Sequence, residues 1–258
     1  IWILLAGSIR GIDYNYHVPE GSGVSVDNTT RRVPNASQGL NTYAGNVTQL
    51  TITGTSISQQ WQGFYGNVTG EVVLANAAQD NIYSWDVVYP VGEVYATEIS
   101  SVNWTSDNLA CYSYTQDSET YLSIGEYEGW QGTPSPAYGG LGLAENDPDG
   151  VDETFLNTSG QGHTSFYTGI KFFNGSTTGA NVACPRTQLY NSSGAPGEFE
   201  EMVIYALDDA RPIYVSILQQ YGADGFDGNT WNFQMIVPEK GRDGDNSTTT
   251  YYIYMELE

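Results

Sequence analysis

Lysine is almost missing from this chain. Lys171 and Lys240 are the only two, and lysine plus arginine number 8 against 30 acids, a net charge of −22 over 258 residues. Phosphate recognition needs clustered basic side chains, so nucleic acid is excluded as a partner class, and an anionic membrane surface falls on the same ground. Histidine is equally scarce: only His17 and His163 occur, and no Cys/His spacing matches a zinc site. Long apolar runs are missing too. The opening IWILLAG is the most hydrophobic stretch, far short of the roughly 20 apolar residues a membrane-crossing helix needs, so no transmembrane segment is expected. The sequence has no Gly-x-Ser-x-Gly elbow, no His-Glu-x-x-His and no phosphate-binding loop, so catalysis is not expected. His163 lies near Ser159 and Ser165, but one histidine beside serines is not a catalytic signature.

Glycine (30) and tyrosine (20) are abundant instead, with many Thr, Ser and Asn. Tyr and Thr suit a pleated, half-buried surface, and Gly and Asn supply turns. This composition predicts an all-β chain. Nine Asn-x-Ser/Thr sequons run from end to end: Asn28, Asn35, Asn46, Asn67, Asn103, Asn157, Asn174, Asn191 and Asn246. A used sequon must face solvent in an exported protein, so the pattern predicts an extracellular, N-glycosylated surface. Only Cys111 and Cys184 are available for a disulfide, and an exported chain with an even count predicts one between them. The alternative is two buried thiols. The chain opens on Ile1, which predicts a processed start with a signal peptide already removed.

Period-2 alternation at Ile12, Tyr14, Tyr16 and Val18 predicts a strand. Together with the apolar Ile1, Trp2, Ile3, Leu4, Leu5 and Ile9 it forms an N-terminal strand arm over 1–18. Residues 19–45, rich in Gly, Ser, Asn and Pro, read as a linker or long loop. From 46 to 258 strand signals recur between turn residues, which predicts an antiparallel β-sandwich, jelly-roll or Ig-like. Strands are predicted over 47–53, 57–65, 69–76, 82–88, 93–99, 165–173, 201–207, 211–219, 231–235 and 250–257. The stretch 126–165 is loop-heavy and marks the place where two packed sandwiches would divide.

An arm that is apolar on both faces must be buried, because an exposed strand of this kind aggregates. It either pairs within its own chain or inserts into a neighbouring subunit by strand donation. Repeated head to tail, the second contact does not close and builds a filament. The acid-rich turns are candidate calcium ligands at Asp147, Asp149, Asp152, Asp224 and Asp227, although Asp-Gly is also an ordinary turn dipeptide. Glu145 and Glu153 belong to the same group as Asp147, Asp149 and Asp152, and Asp243 with Asp245 forms another. Trp104, Trp130 and Trp231 are candidate sugar platforms or core aromatics. Glu126 and Glu128, flanking Tyr127, are the only carboxylate pair a glycosidase reading can point to.

The segments TQLTITGTSISQQWQGFYGNVTGEVVLANA (48–77), GEVYA (92–96) and GFDGNTWNFQMIVPEKG with the closing STTTYYIYMELE resemble a group of uncharacterised archaeal secreted and cell-surface β-rich glycoproteins. That resemblance implies an archaeal, exported, N-glycosylated protein and transfers no catalytic residues. A looser, architectural likeness to archaeal pilus-like threads assembled by donor-strand complementation implies a structural homopolymer, with adhesion, contact between cells and biofilm scaffolding all open as its role. The sequence reading is therefore a filament subunit that partners with itself. The alternatives are a monomeric cell-surface carbohydrate-binding or adhesin module and a secreted glycosidase.

Overall fold

The runs EEMVIYA and RPIYVSI lack the polar alternation of a sheet with one wet face, and such runs mark strands covered on both sides. The computed structural model, described over residues 18–112, 148–155, 164–175, 184–239 and 248–257, bears this out. Its strands are β1 (Glu20–Gly21), β2 (Trp61–Gly66), β3 (Gly70–Ala75), β4 (Asn81–Val87), β5 (Gly92–Thr97), β6 (Leu109–Cys111), β7 (Phe166–Thr168), β8 (Lys171–Phe173), β9 (Arg186–Tyr190), β10 (Pro196–Ala206), β11 (Arg211–Ile217), β12 (Ala223–Asp224), β13 (Thr230–Trp231), β14 (Phe233–Pro238) and β15 (Tyr252–Leu257). One short helix, α1 (Val151–Thr154), is the only helix among the described residues. The protein is all-β, and every strand pairing is antiparallel.

Seven strands form the main sheet in the order β1-β15-β5-β11-β10-β6, with β9 also on β10. It takes strands from both sides of the loop-heavy stretch 126–165. Val94, Ala96, Val203, Tyr205, Tyr214 and Leu257 face one side, where Met235 and Val237 of the β2–β14 pair and Val151 and Phe155 around α1 cover them. Tyr95, Met202, Ile204, Ile213, Val215 and Tyr254 face the other, under Phe166 and Phe173 of the β7–β8 hairpin. Each fully buried large side chain contributes about 1.5–3 kcal/mol of transfer free energy.

The far edge of this sheet is made of two half-strands. β6 pairs with Ile204–Ala206 and β9 with the residues up to Met202. Between them, Tyr112 N–H donates to the Val203 carbonyl (3.2 Å) and Val203 N–H donates to the Pro185 carbonyl (2.9 Å). Cys111 and Cys184 are joined across that junction, 73 residues apart in sequence, so the predicted disulfide forms. The chain between the two cysteines carries α1 to one face of the sheet and β7–β8 to the other.

Gly92 fixes the start of β5. Its φ is +127°, and an added Cβ would lie 2.1 Å from the Glu256 carbonyl oxygen, so glycine is required on both counts.

The N-terminal third differs. The strand predicted over 47–53 does not form, and all seven of its residues are exposed. Alternating Thr, Leu and Ile favour extended backbone, but a strand exists only where a ladder partner stands beside it. No such partner lies beside 47–53 among the described residues. The β3–β4 hairpin stands nearly as bare, with six of the seven β4 residues exposed. The arm residues before Val18 lie outside the described residues, as do Glu126, Glu128, Trp130 and His163. Val18 itself is exposed.

Candidate functional site

Where β15 loses its outer neighbour, the structure opens a groove of about 500 Å³. The short β1 covers only the Tyr254–Met255 stretch of that edge. Ser22 adds two bonds to the Ile253 carbonyl, from its N–H at 3.2 Å and its Oγ at 3.3 Å. Beyond Ile253 the outer edge of β15 has no strand beside it among the described residues. Phe64, Val237 and Ile253 give the groove apolar walls, Tyr251 and Tyr252 give it aromatic ones, and Glu239 contributes a carboxylate. Tyr251 is held by donating its hydroxyl to the Pro238 carbonyl at 2.7 Å, which ties β15 to the end of β14. A sheet edge beside an apolar trough is chemically suited to an extended segment, with main-chain bonds on one side and side-chain pockets on the other.

Three buried carboxyls lie elsewhere, at positions the residue pattern did not single out. Glu93 and Glu256 sit opposite each other on β5 and β15. Their exposures are 4% and 1%. The Tyr95 hydroxyl donates to Glu256 Oε2 at 3.0 Å, with Thr168 Oγ1 at 3.2 Å and Glu93 Oε2 at 3.5 Å. Gly169 N–H donates to the Glu256 carboxylate at 3.1 and 3.2 Å. Burial, then the charges of Glu93 and Glu256, push the Tyr95 hydroxyl well above its usual range, so it remains a donor. This cluster fastens the β7–β8 hairpin to the main sheet, and the hairpin closes over it.

Glu201 is fully buried on the other face. Its Oε2 accepts from Ile236 N–H at 2.8 Å, and its Oε1 has no hydrogen-bond partner among the described residues. Burial raises its carboxyl well above the ordinary range, which favours the protonated form. The Tyr214 hydroxyl, raised first by burial and then by Tyr251, Tyr112 and Glu201, also lacks a hydrogen-bond partner among the described residues. The pattern that hid these groups is visible in GEVYAT: Glu93, Tyr95 and Thr97 alternate against Val94 and Ala96 and so mimic an outward polar face.

The predicted site residues scatter over the surface and the core. Asn28, Asn35, Asn46, Asn67 and Asn103 are exposed, Asn174 and Asn191 are half-buried, and Asn157 and Asn246 lie outside the described residues. Asn103 Nδ2 donates to Asp208 at 2.8 Å, so a sugar there would replace that bond. Asp149 accepts from Ser58 Oγ, and Asp224 accepts from Ser192 Oγ at 2.7 Å. Asp227 accepts from the Asn229 side chain (2.8 Å), the Asn229 N–H (3.0 Å) and Trp231 Nε1 (2.9 Å), and the Asn229 bond leads in holding its carboxyl below the usual range. The Asp227 bonds are turn bonds, whereas those of Asp149 and Asp224 tie together segments distant in sequence. Asp147, Asp243 and Asp245, and the side chain of Asp152, lie outside what is described, and no group of three metal-ligating residues occurs among the described residues. Trp104 packs on Tyr95 and Tyr254, with ring centroids at 5.2 and 5.3 Å, and so serves the core. Trp231 stands at the surface against Tyr65, at 5.2 Å, and Tyr65 in turn touches Phe226 at 4.9 Å.

Comparison with protein-family models, with curated proteins and with solved structures finds no match. Among the described residues no helix is long and apolar enough to cross a membrane.

Proposed function

We propose that this chain is a structural subunit of an extracellular, N-glycosylated filament of archaeal type. It polymerises head to tail by inserting its N-terminal strand, Ile1–Val18, into the neighbouring subunit. In this reading the doubly covered sheet is an antiparallel sandwich short of one edge strand, and the groove beside Tyr251–Ile253 is the acceptor. The groove is the observation that carries the proposal. The direction of β1 supports donation to another copy. Glu20 opposes Met255 and Gly21 opposes Tyr254, so a chain traced back from Glu20 heads toward Leu257 and away from its own groove. Burying Ile1, Trp2, Ile3, Leu4 and Leu5 contributes roughly 1.5–3 kcal/mol each in gross transfer, opposed by the entropy of ordering the arm. The exposed sequons would mark the outer wall.

Deleting residues 1–18 tests this directly. Light scattering should then find monomers where the full chain forms polymers, and undiminished assembly by the truncated chain would overturn the proposal. The surface cluster of Tyr65, Phe226 and Trp231 favours a second reading, a carbohydrate-binding adhesin. That reading expects oligosaccharide binding by a monomer, lost on Trp231→Ala and retained without the arm.

A further inference from the structure

We infer a second contact between copies of this chain: residues 48–53 of one copy pair along the free β4 edge of another. This contact goes beyond arm insertion and does not depend on it.

The β3–β4 hairpin is an amphipathic element with half of its apolar face uncovered. Its register places Val72 opposite Trp85 and Leu74 opposite Tyr83, so these four share a face with Val87. At the base of the hairpin, Val72 and Val87 pack against the core. Further out the same face runs into solvent: Leu74 is 56% exposed, Tyr83 59% and Trp85 51%. The Tyr83 and Trp85 rings, with centroids 4.8 Å apart, form a preformed aromatic ledge. The outer edge of β4 pairs with no strand among the described residues. A lone two-stranded hairpin with an apolar face gains stability from a third strand.

The occupant is indicated by a matching deficit in the same chain. Thr48–Thr53 has the alternation of a strand, with Leu50 and Ile52 on one side and Gln49, Thr51 and Thr53 on the other. It is exposed at every position, 55% at Leu50 and 86% at Ile52, and it forms no ladder among the described residues. Charge supports a match between copies. The exposed segment 22–58 carries one acid, Asp27, against two bases, Arg31 and Arg32, in a chain of net charge −22. Residues 70–87 carry Glu71, Asp80 and Asp86 and no base. Thr48–Thr53 is itself uncharged, so it meets the acidic hairpin without the repulsion that two acidic surfaces would suffer. Laid along β4, Leu50 and Ile52 fall beside Tyr83 and Trp85, and Thr51 falls on the Ser84 side.

The test is a full chain carrying Thr51→Cys and Ser84→Cys, run on a non-reducing gel after mild oxidation. Cys111 and Cys184 are already paired. Disulfide-linked dimers and higher species are expected. A species that is only internally linked means the segment folds back onto its own hairpin, and that outcome overturns the inference, as does no linkage. Adding Leu50→Asp and Ile52→Asp should lower intermolecular linkage at least about tenfold, with circular dichroism matching the parent. Unchanged linkage would overturn the inference. Repeating the cysteine test without residues 1–18 separates the two contacts. Persistence of the linked species supports this one whatever becomes of the polymer, and their loss overturns it.

Discussion

The main sheet and the β3–β4 hairpin are written in the same residues and end in opposite environments. Ile204 and Ile213 are 0% exposed, while Ile82 is 79% exposed and Trp85 51%. Propensity does not separate them, since both regions are rich in β-branched and aromatic residues. What separates them is cover. β10 and β11 have a strand on each side and a layer on each face, whereas β4 has one strand and a half-covered face. A sheet strand is thus defined by its neighbours. Among the described residues, the half-covered hairpin and the exposed segment 47–53 that lacks a ladder partner both lie in the N-terminal third.

The sharpest break of this contrast is at the disulfide. Replacing Cys111 and Cys184 with serine frees a 73-residue loop and separates the two half-strands on β10. The chain-entropy model puts the loss at about 4 kcal/mol, to be read as a large fall in the urea midpoint. Ile204→Ala should cost about 2–5 kcal/mol because the site cannot collapse. Ile82→Ala on the hairpin should stay within about 0.5 kcal/mol in the monomer. Equal losses at the two sites would dissolve the comparison. Gly92→Ala should cost about 2–4 kcal/mol, combining a left-handed φ with a clash against Glu256, and a near-neutral result would mean that β5 and β15 can separate locally.

The smallest effect concerns pH. Glu201 has its folded-state carboxyl raised by burial, so the folded state holds a proton that the unfolded state releases. Its contribution is intact below the ordinary glutamate value, about 4.3, and is lost as pH climbs from there toward the folded value. Glu201→Gln, isosteric and uncharged, should flatten that part of the profile. It should match the parent near pH 4 and exceed it near pH 8 in urea unfolding. An unchanged slope would place the pH dependence on other groups.

The amount legible in the sequence follows the same division. The patterns around Val94, Ile204 and Val215 announced strands, and the two cysteines announced their own pairing. Turn residues placed most strand limits to within a few positions. The pattern at 47–53 was equally strand-like, yet no local signal says whether a ladder partner exists in the same chain. Glu93, Glu201 and Glu256 stayed hidden for a related reason. Alternation reports two faces and cannot report that both are covered, so a buried carboxyl held by Tyr95 or by Ile236 N–H reads as an ordinary outward acid. The groove at Tyr251–Ile253 depends on where β1 stops, which is a property of tertiary pairing.

The central claim is that the centre of the main sheet, β5, β11 and β10, is complete within one chain, while its β15 edge, the β4 edge and residues 48–53 are completed by other copies. Amide hydrogen exchange of the full-length protein, followed from dilute to concentrated solution, tests it most directly. The account predicts strong protection of β5, β10 and β11 at every concentration. Protection of Thr48–Thr53, Asn81–Val87 and Tyr251–Ile253 should rise with association. Exchange at those three stretches that does not change with concentration would contradict it.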